Sequence, residues 1–137
     1  DETAKFAVPE IQLGVFPPVA ASLLPVLGGG SLATEMLITG KTFSAAKLAD
    51  RGVVSHVVAQ ADMQETLNAY LEKNILPRSA SSLRFAHQAA RLSVVKHYQA
   101  TIPVLEKLYL EKLMATDDAN EGINSFIEKR KPQWNNC

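Results

Sequence analysis

The stretch Ala4-Lys5-Phe6-Ala7-Val8-Pro9-Glu10-Ile11-Gln12-Leu13-Gly14-Val15-Phe16-Pro17-Pro18 decides how this chain is read. A short apolar run carries a single interior carboxylate, Glu10, and closes on glycine and two prolines. That pattern predicts a β-like segment feeding a turn, with Glu10 where the chain changes direction. Placing a carboxylate among Phe6, Val8, Ile11 and Leu13 is costly unless the group is paired or used. Glu10 is therefore the first candidate for acid/base chemistry.

The 137 residues suffice for one domain with a real core, and the 47% hydrophobic content is too high for disorder. Fourteen basic residues balance fourteen acidic ones, so no long-range field points to nucleic acid or to an anionic membrane. The one cysteine, Cys137, leaves no internal disulfide or cysteine metal cluster and suits a reducing, cytoplasmic setting. No apolar run approaches the roughly 20 residues of a membrane span. The chain opens on Asp1 rather than methionine, so it is expected to be a trimmed or partial product.

Working outward, residues 19–24 form a small, apolar helical patch expected to end near Pro25 or at Gly28-Gly29-Gly30. The triple glycine lacks the preceding strand, the spacing and the Lys-Ser/Thr ending of a phosphate cradle, and reads as a helix-to-helix corner. Ser31 is expected to cap a helix carrying Leu32, Met36 and Leu37 that stops at Gly40. Ser44 is expected to cap a short one with Ala45, Ala46, Leu48 and Ala49, closed by Gly52. Residues 53–58, β-branched and short, read as a buried strand, with His56 an edge histidine rather than a ligand. Asp62 and Glu65 have capping-box spacing for a helix through Lys73, with Leu67, Tyr70 and Leu71 inward.

Pro77 and the small residues 79–82 precede a longer helix over 83–97, with Leu83, Ala86, Ala90 and Val94 at helical spacing. His87 and His97 are ten residues apart, not the three or four that would pair them on one face for a metal. Pro103 is read as a break before an amphipathic helix with Val104, Leu105, Leu108, Leu110, Leu113 and Met114. In residues 116–122, Asp118 and Glu121 again have capping-box spacing; a calcium loop is excluded by the missing ligand alternation and closing glutamate. The last helix carries Ile123, Phe126 and Ile127 and a basic cluster, Lys129, Arg130 and Lys131, ahead of Pro132. The sum is about six helices and two short strand-like pieces, too little strand for a self-sufficient sheet.

These residues carry a resemblance. The blocks Phe6-x-x-Pro9-Glu10-Ile11-x-Leu13-Gly14, residues 35–40, residues 44–54, and Ala115-Thr116-Asp117-Asp118-x-x-Glu121-Gly122-x-x-x-Phe126-Ile127-Glu128-Lys129-Arg130 stand in the order and spacing of the enoyl-CoA hydratase/isomerase (crotonase) superfamily. The variant Gly14-Val15-Phe16-Pro17-Pro18 is similar to members that hydrate cyclic dienoyl-CoA thioesters. The resemblance implies a mainly α chain with short β segments, the C-terminal portion of a crotonase-like α/β fold without its N-terminal spiral core. As one module over 1–137, residues 1–60 would be a core remnant with turn and short helices, and 61–137 a helical region for trimerisation and CoA.

It further implies an acyl-CoA thioester as substrate, no other cofactor, no metal, and assembly as a trimer or hexamer. Glu10 matches the second of the family's two acid/base glutamates. Phe16 and Pro17 fall at the substrate pocket, where they replace the usual glycine-rich turn and arginine with a bulkier, apolar wall. Phe126 and Lys129 match positions near the CoA adenine and 3′-phosphate. The oxyanion-hole glycines and the first glutamate would lie upstream of Asp1, so the isolated chain is expected to be inactive. Two further readings stay open beside this one, a non-catalytic helical oligomerisation module and an inactive partial gene product.

Overall fold

The computed structural model describes all residues, Asp1–Cys137. Glycine corners and hydroxyl caps set the element boundaries, and the chain forms two units. The first comprises Asp1–Phe6 and Phe43–Lys96, the second Ala7–Thr42 and His97–Cys137. Six α-helices and two two-residue strands make it mainly α.

In the first unit, β1 (Lys5–Phe6) runs antiparallel to β2 (Phe43–Ser44), with Lys5 opposite Ser44 and Phe6 opposite Phe43. Strands this short cannot bury a face, so the ladder is a clip. It is extended by Ala45 N–H donating to the Ala4 carbonyl at 3.1 Å. Ser44 caps α3 (Ala45–Asp50) as expected: its hydroxyl accepts from Lys47 N–H at 3.2 Å, and Ala45 and Leu48 are buried beneath.

The strand expected over residues 53–58 does not form. The N–H groups of Val53 and Val54 both turn back to the Leu48 carbonyl, and the Val58 carbonyl accepts from Glu2 N–H at 2.9 Å. With its first donors consumed at the end of α3, the segment has no regular row to pair, and β-branched composition does not override that. His56 lies edge-on to Tyr70, ring centroids 5.3 Å apart. Helix α4 (Met63–Asn74) follows a 3₁₀ turn, Gln60–Asp62, and Asp62 makes no side-chain cap. Its backbone is already right-handed helical (φ −94°, ψ −4°), whereas capping geometry needs an extended residue there. Helix α5 (Ala80–Lys107) belongs to this unit as far as Lys96.

The second unit begins with a 3₁₀ turn, Pro9–Leu13, followed by α1 (Pro18–Gly28) and α2 (Gly30–Thr39), which pack on each other. The triple glycine is their corner. Gly29 has φ 82° and ψ 153°, a region essentially reserved for glycine, and its carbonyl accepts from Ala33 N–H at 3.1 Å. Gly29 rather than Ser31 thus stands at the head of α2; Ser31 lies exposed in the first turn. Leu32, Ala33 and Met36 form the centre of this core with Val8, Val15 and Ala119.

Pro103 does not break the chain; α5 runs through it to Lys107. Proline removes one helical donor, which costs about 3 kcal/mol in an unsupported helix. Here the preceding turn is anchored. Ser22, 1% exposed, shares a 2.6 Å hydroxyl bond with Thr101, and His97 Nε2 lies 3.0 Å from the Ser22 carbonyl. The Thr101 hydroxyl also donates to the His97 carbonyl. A π-helical turn (Leu108–Lys112) and a 3₁₀ turn (Leu113–Ala115) lead to α6 (Asp117–Ile127). Thr116 caps α6, its hydroxyl accepting from Ala119 N–H at 3.2 Å, which frees Asp118 and Glu121 from the capping role their spacing suggested.

Candidate functional site

Pro9 and Gly14 bracket Glu10. Proline's fixed φ starts the 3₁₀ turn, and Gly14 ends it in the left-handed region at φ 70°. Gly14 N–H donates to the Ile11 carbonyl at 3.0 Å and Val15 N–H to the Glu10 carbonyl at 3.3 Å. The expected change of direction is therefore present at Glu10, built as a 3₁₀ turn rather than as the end of a strand. Val8 and Val15, on either side, are buried.

Glu10 Oε2 is itself buried, and no donor of the chain reaches it. It is alone among buried side-chain nitrogens and oxygens in that condition. An unpartnered buried acceptor costs about 1–3 kcal/mol, and more when charged, so the position is maintained against stability.

Helices α2 and α6 both pack on this turn. Gly40, at the end of α2, lies against the side chains of Ile11 and Gln12. On α6, Gly122 meets the backbone of Leu13, and a Cβ there would collide with the Leu13 carbonyl. Phe16 is half-buried, its ring edge-on to Tyr109 at 5.6 Å, and Pro17 heads α1, its carbonyl accepting from Ala21 N–H at 2.9 Å. The two residues extend the Glu10 turn into a rigid, half-buried ledge.

Phe126 lies in the last turn of α6 and Lys129 just beyond it. Phe126 is 67% exposed and Lys129 is exposed. From the Leu13 seat at Gly122 to Phe126 is four residues, about 6 Å along the axis. A single helix thus holds the Glu10 turn and presents Phe126, with Lys129 two residues past its end. Lys129 has φ 56°. Its N–H donates to the Phe126 carbonyl and that of Arg130 to Ser125, a Schellman ending with lysine where glycine usually stands.

Sequence reasoning missed the C-terminal tail. Arg130 forks onto Glu121, with Nη2 to Oε2 at 2.7 Å, and its Nε donates to Glu128 at 2.6 Å. Gln133 N–H adds a 2.8 Å bond to Glu121 Oε1. The Arg130 hydrogen bond, then that of Gln133, pull the Glu121 carboxyl from its ordinary 4.5 down to about 2. Glu121, then Glu128, hold the Arg130 guanidinium above its usual range. Asp118 accepts from the N–H groups of Asn135 at 2.7 Å and Asn136 at 2.9 Å. The basic cluster is therefore not a free patch of three charges. The signal in the sequence was a lone tryptophan in an otherwise polar tail, downstream of two well-spaced acids.

A groove of about 640 Å³ opens beside the turn, lined by Ile11, Gln12, Gly14, Asp118, Trp134 and Asn136 among others. No three His, Cys, Asp or Glu side chains converge as a metal set would. No helix is long and apolar enough to cross a membrane.

The family profile described as Enoyl-CoA hydratase/isomerase matches residues 1–137. The chain is 41% identical over 133 residues to the cyclohexa-1,5-dienecarbonyl-CoA hydratase of Thauera aromatica, covering 97% of this chain and 51% of that protein. It is 35% identical over 134 residues to a probable enoyl-CoA hydratase of Mycobacterium tuberculosis, with the same coverage, 97% and 51%. Among solved structures, a carnitinyl-CoA dehydratase from Mycobacterium avium superposes with a TM-score of 0.79 at 25% identity, covering 100% of this chain and 54% of that one. The chain spans about half the length of the relatives it matches, and what it shares with them is the C-terminal half.

Proposed function

Because the chain belongs to the enoyl-CoA hydratase/isomerase family, we propose that it carries the C-terminal share of a site that hydrates or isomerises an enoyl-CoA thioester, with Glu10 as one of two acid/base glutamates. The observation that carries this reading is Glu10 Oε2, buried, without a partner in the chain, and mounted on a turn braced by two helices.

In hydration, a water oxygen bonds to the β-carbon while a carboxylate takes its proton. The electron pair of the double bond moves onto the thioester carbonyl as an enolate, and a carboxylic acid returns a proton to the α-carbon. Glu10 serves as one of those two groups. The other glutamate, and the N–H groups that hold the enolate oxygen at about 3 kcal/mol per donor, come from outside these residues. Phe16 and Pro17 wall the acyl end, and their rigid apolar ledge suits a flat, conjugated acyl group such as the relative from Thauera aromatica is named for. Phe126 and Lys129 meet the CoA adenine and 3′-phosphate, the lysine as a point charge. CoA enters as part of the substrate, and no other cofactor is needed.

The reading includes self-association, as a trimer or dimer of trimers in the cytoplasm. Phe6, Ile11, Phe85, Leu92 and Ile127 are large, apolar and exposed, as surfaces that meet a second copy would be.

The test is turnover by the whole protein. Given crotonyl-CoA or a cyclic dienoyl-CoA, it should deplete the absorbance of the conjugated thioester. Glu10→Gln, which keeps the shape and loses the proton, should slow that by roughly 10²–10⁴-fold. Full turnover in a folded Glu10→Gln variant removes Glu10 from the mechanism.

A further inference from the structure

A polar segment with one large apolar side chain has little of its own to hold it in place. This one is tied at both sides of that side chain. Gln133 N–H ends on Glu121, and Asn135 and Asn136 N–H end on Asp118, so three tail donors find carboxylates on a single helix. Between them, Trp134 lies over two glycines. A Cβ added at Gly14 would stand 3.1 Å from its Cζ3 and 2.9 Å from the Asp118 carbonyl oxygen, and one added at Gly122 would stand 3.1 Å from its Cη2. Only side chains reduced to hydrogen let the indole and the helix backbone close on the turn this tightly.

What the indole covers is the end of the turn that carries Glu10. Gly14, left-handed at φ 70°, donates to Ile11, and the next N–H, of Val15, donates to the Glu10 carbonyl. Take the ring away, and the turn's most permissive residue loses the wall beside it. We infer that Trp134 is a positioning residue for Glu10: its indole, strapped down through Asp118 and Glu121, holds the Leu13 and Gly14 end of the turn that aims the carboxylate. The inference rests on the acid/base reading of Glu10 given above. A displacement of about 1 Å at a reacting group is enough to cost on the order of 100-fold in rate.

Two readouts on the whole protein test it. In the first, amide exchange at Gly14 and Val15 should quicken by about ten-fold or more in Trp134→Ala. Exchange at Val53, which donates to Leu48 in the other unit, should not change. In the second, kcat should fall roughly 10- to 100-fold with KM within about two-fold, and Trp134→Phe should recover most of it. A merely structural role would lower the melting point and the active fraction without moving kcat per active site. Unchanged exchange at Gly14 and Val15 in a folded variant overturns the inference. Where Trp134→Ala fails to fold, Glu121→Gln slackens the strap with the indole intact, and unchanged exchange at those amides overturns it equally. Wild-type kcat in Trp134→Ala beside an inactive Glu10→Gln overturns the inference and leaves the role of Glu10 standing. Full turnover in Glu10→Gln instead overturns the acid/base reading and the inference with it.

Discussion

Lys129 offers the sharpest separation of backbone from side chain in this protein. It holds φ 56° at the end of α6, with its own N–H on Phe126 and that of Arg130 on Ser125. A residue with a Cβ in that conformation is strained by about 1–2 kcal/mol. Glycine would release the strain but add about 0.4–1 kcal/mol of unfolded-chain entropy. Lys129→Gly should therefore stabilise the protein by about 0.5–1 kcal/mol, roughly 2–4 °C in melting temperature for a chain of this size. Lys129→Ala removes the same charge and keeps the strain, so it should leave stability near wild type. Thermal or urea unfolding of the three proteins measures the difference, and CoA binding should weaken alike in both variants. Equal stability of the alanine and glycine variants would refute the strain argument; undiminished CoA binding would refute the phosphate role of Lys129.

The Glu121 clasp should be acid-labile. Its carboxyl is held at about 2 against an ordinary 4.5, chiefly by the Arg130 hydrogen bond, so the clasp contributes in full above pH 4.5 and is lost as pH falls toward 2. The gap in urea midpoint between wild type and Glu121→Gln should close across that window, and a gap independent of pH would refute the assignment. For the apolar surface, sedimentation at micromolar concentration should show an assembly, and Phe85→Glu with Leu92→Glu should weaken it. A stable monomer would remove self-association from the reading.

Several features were legible because they depend on neighbours in sequence. The Ser44 cap, the stop of α2 at Gly40 and the Gly28-Gly29-Gly30 corner all formed where hydroxyl or glycine chemistry placed them. The misses each turn on a competing contact. Residues 53–58 have strand composition, but the Val53 and Val54 amides are claimed by the end of α3. Pro103 should interrupt a helix, but Ser22, His97 and Thr101 anchor the turn before it. Asp118 and Glu121 have capping spacing, but Thr116 caps α6 and leaves them to the tail. At residues 53–58 and at α6 the competitor is a near neighbour, the Leu48 carbonyl or the Thr116 hydroxyl, and only at Pro103 does a partner distant in sequence, Ser22, override the local preference.

The sequence by itself determined the kinship of the chain, its mainly helical character and Glu10 as the carboxylate to watch. Residue type and order are enough for those, since motif blocks, caps and an ionisable group in an apolar run are local facts. Only the tertiary structure decided that Oε2 of Glu10 is buried without a partner, that Gly122 admits the Leu13 carbonyl, and that Trp134 closes over both glycines. Burial and close approach are properties of segments brought together across roughly a hundred residues of chain, and no local pattern encodes which donor a carboxylate will fail to find.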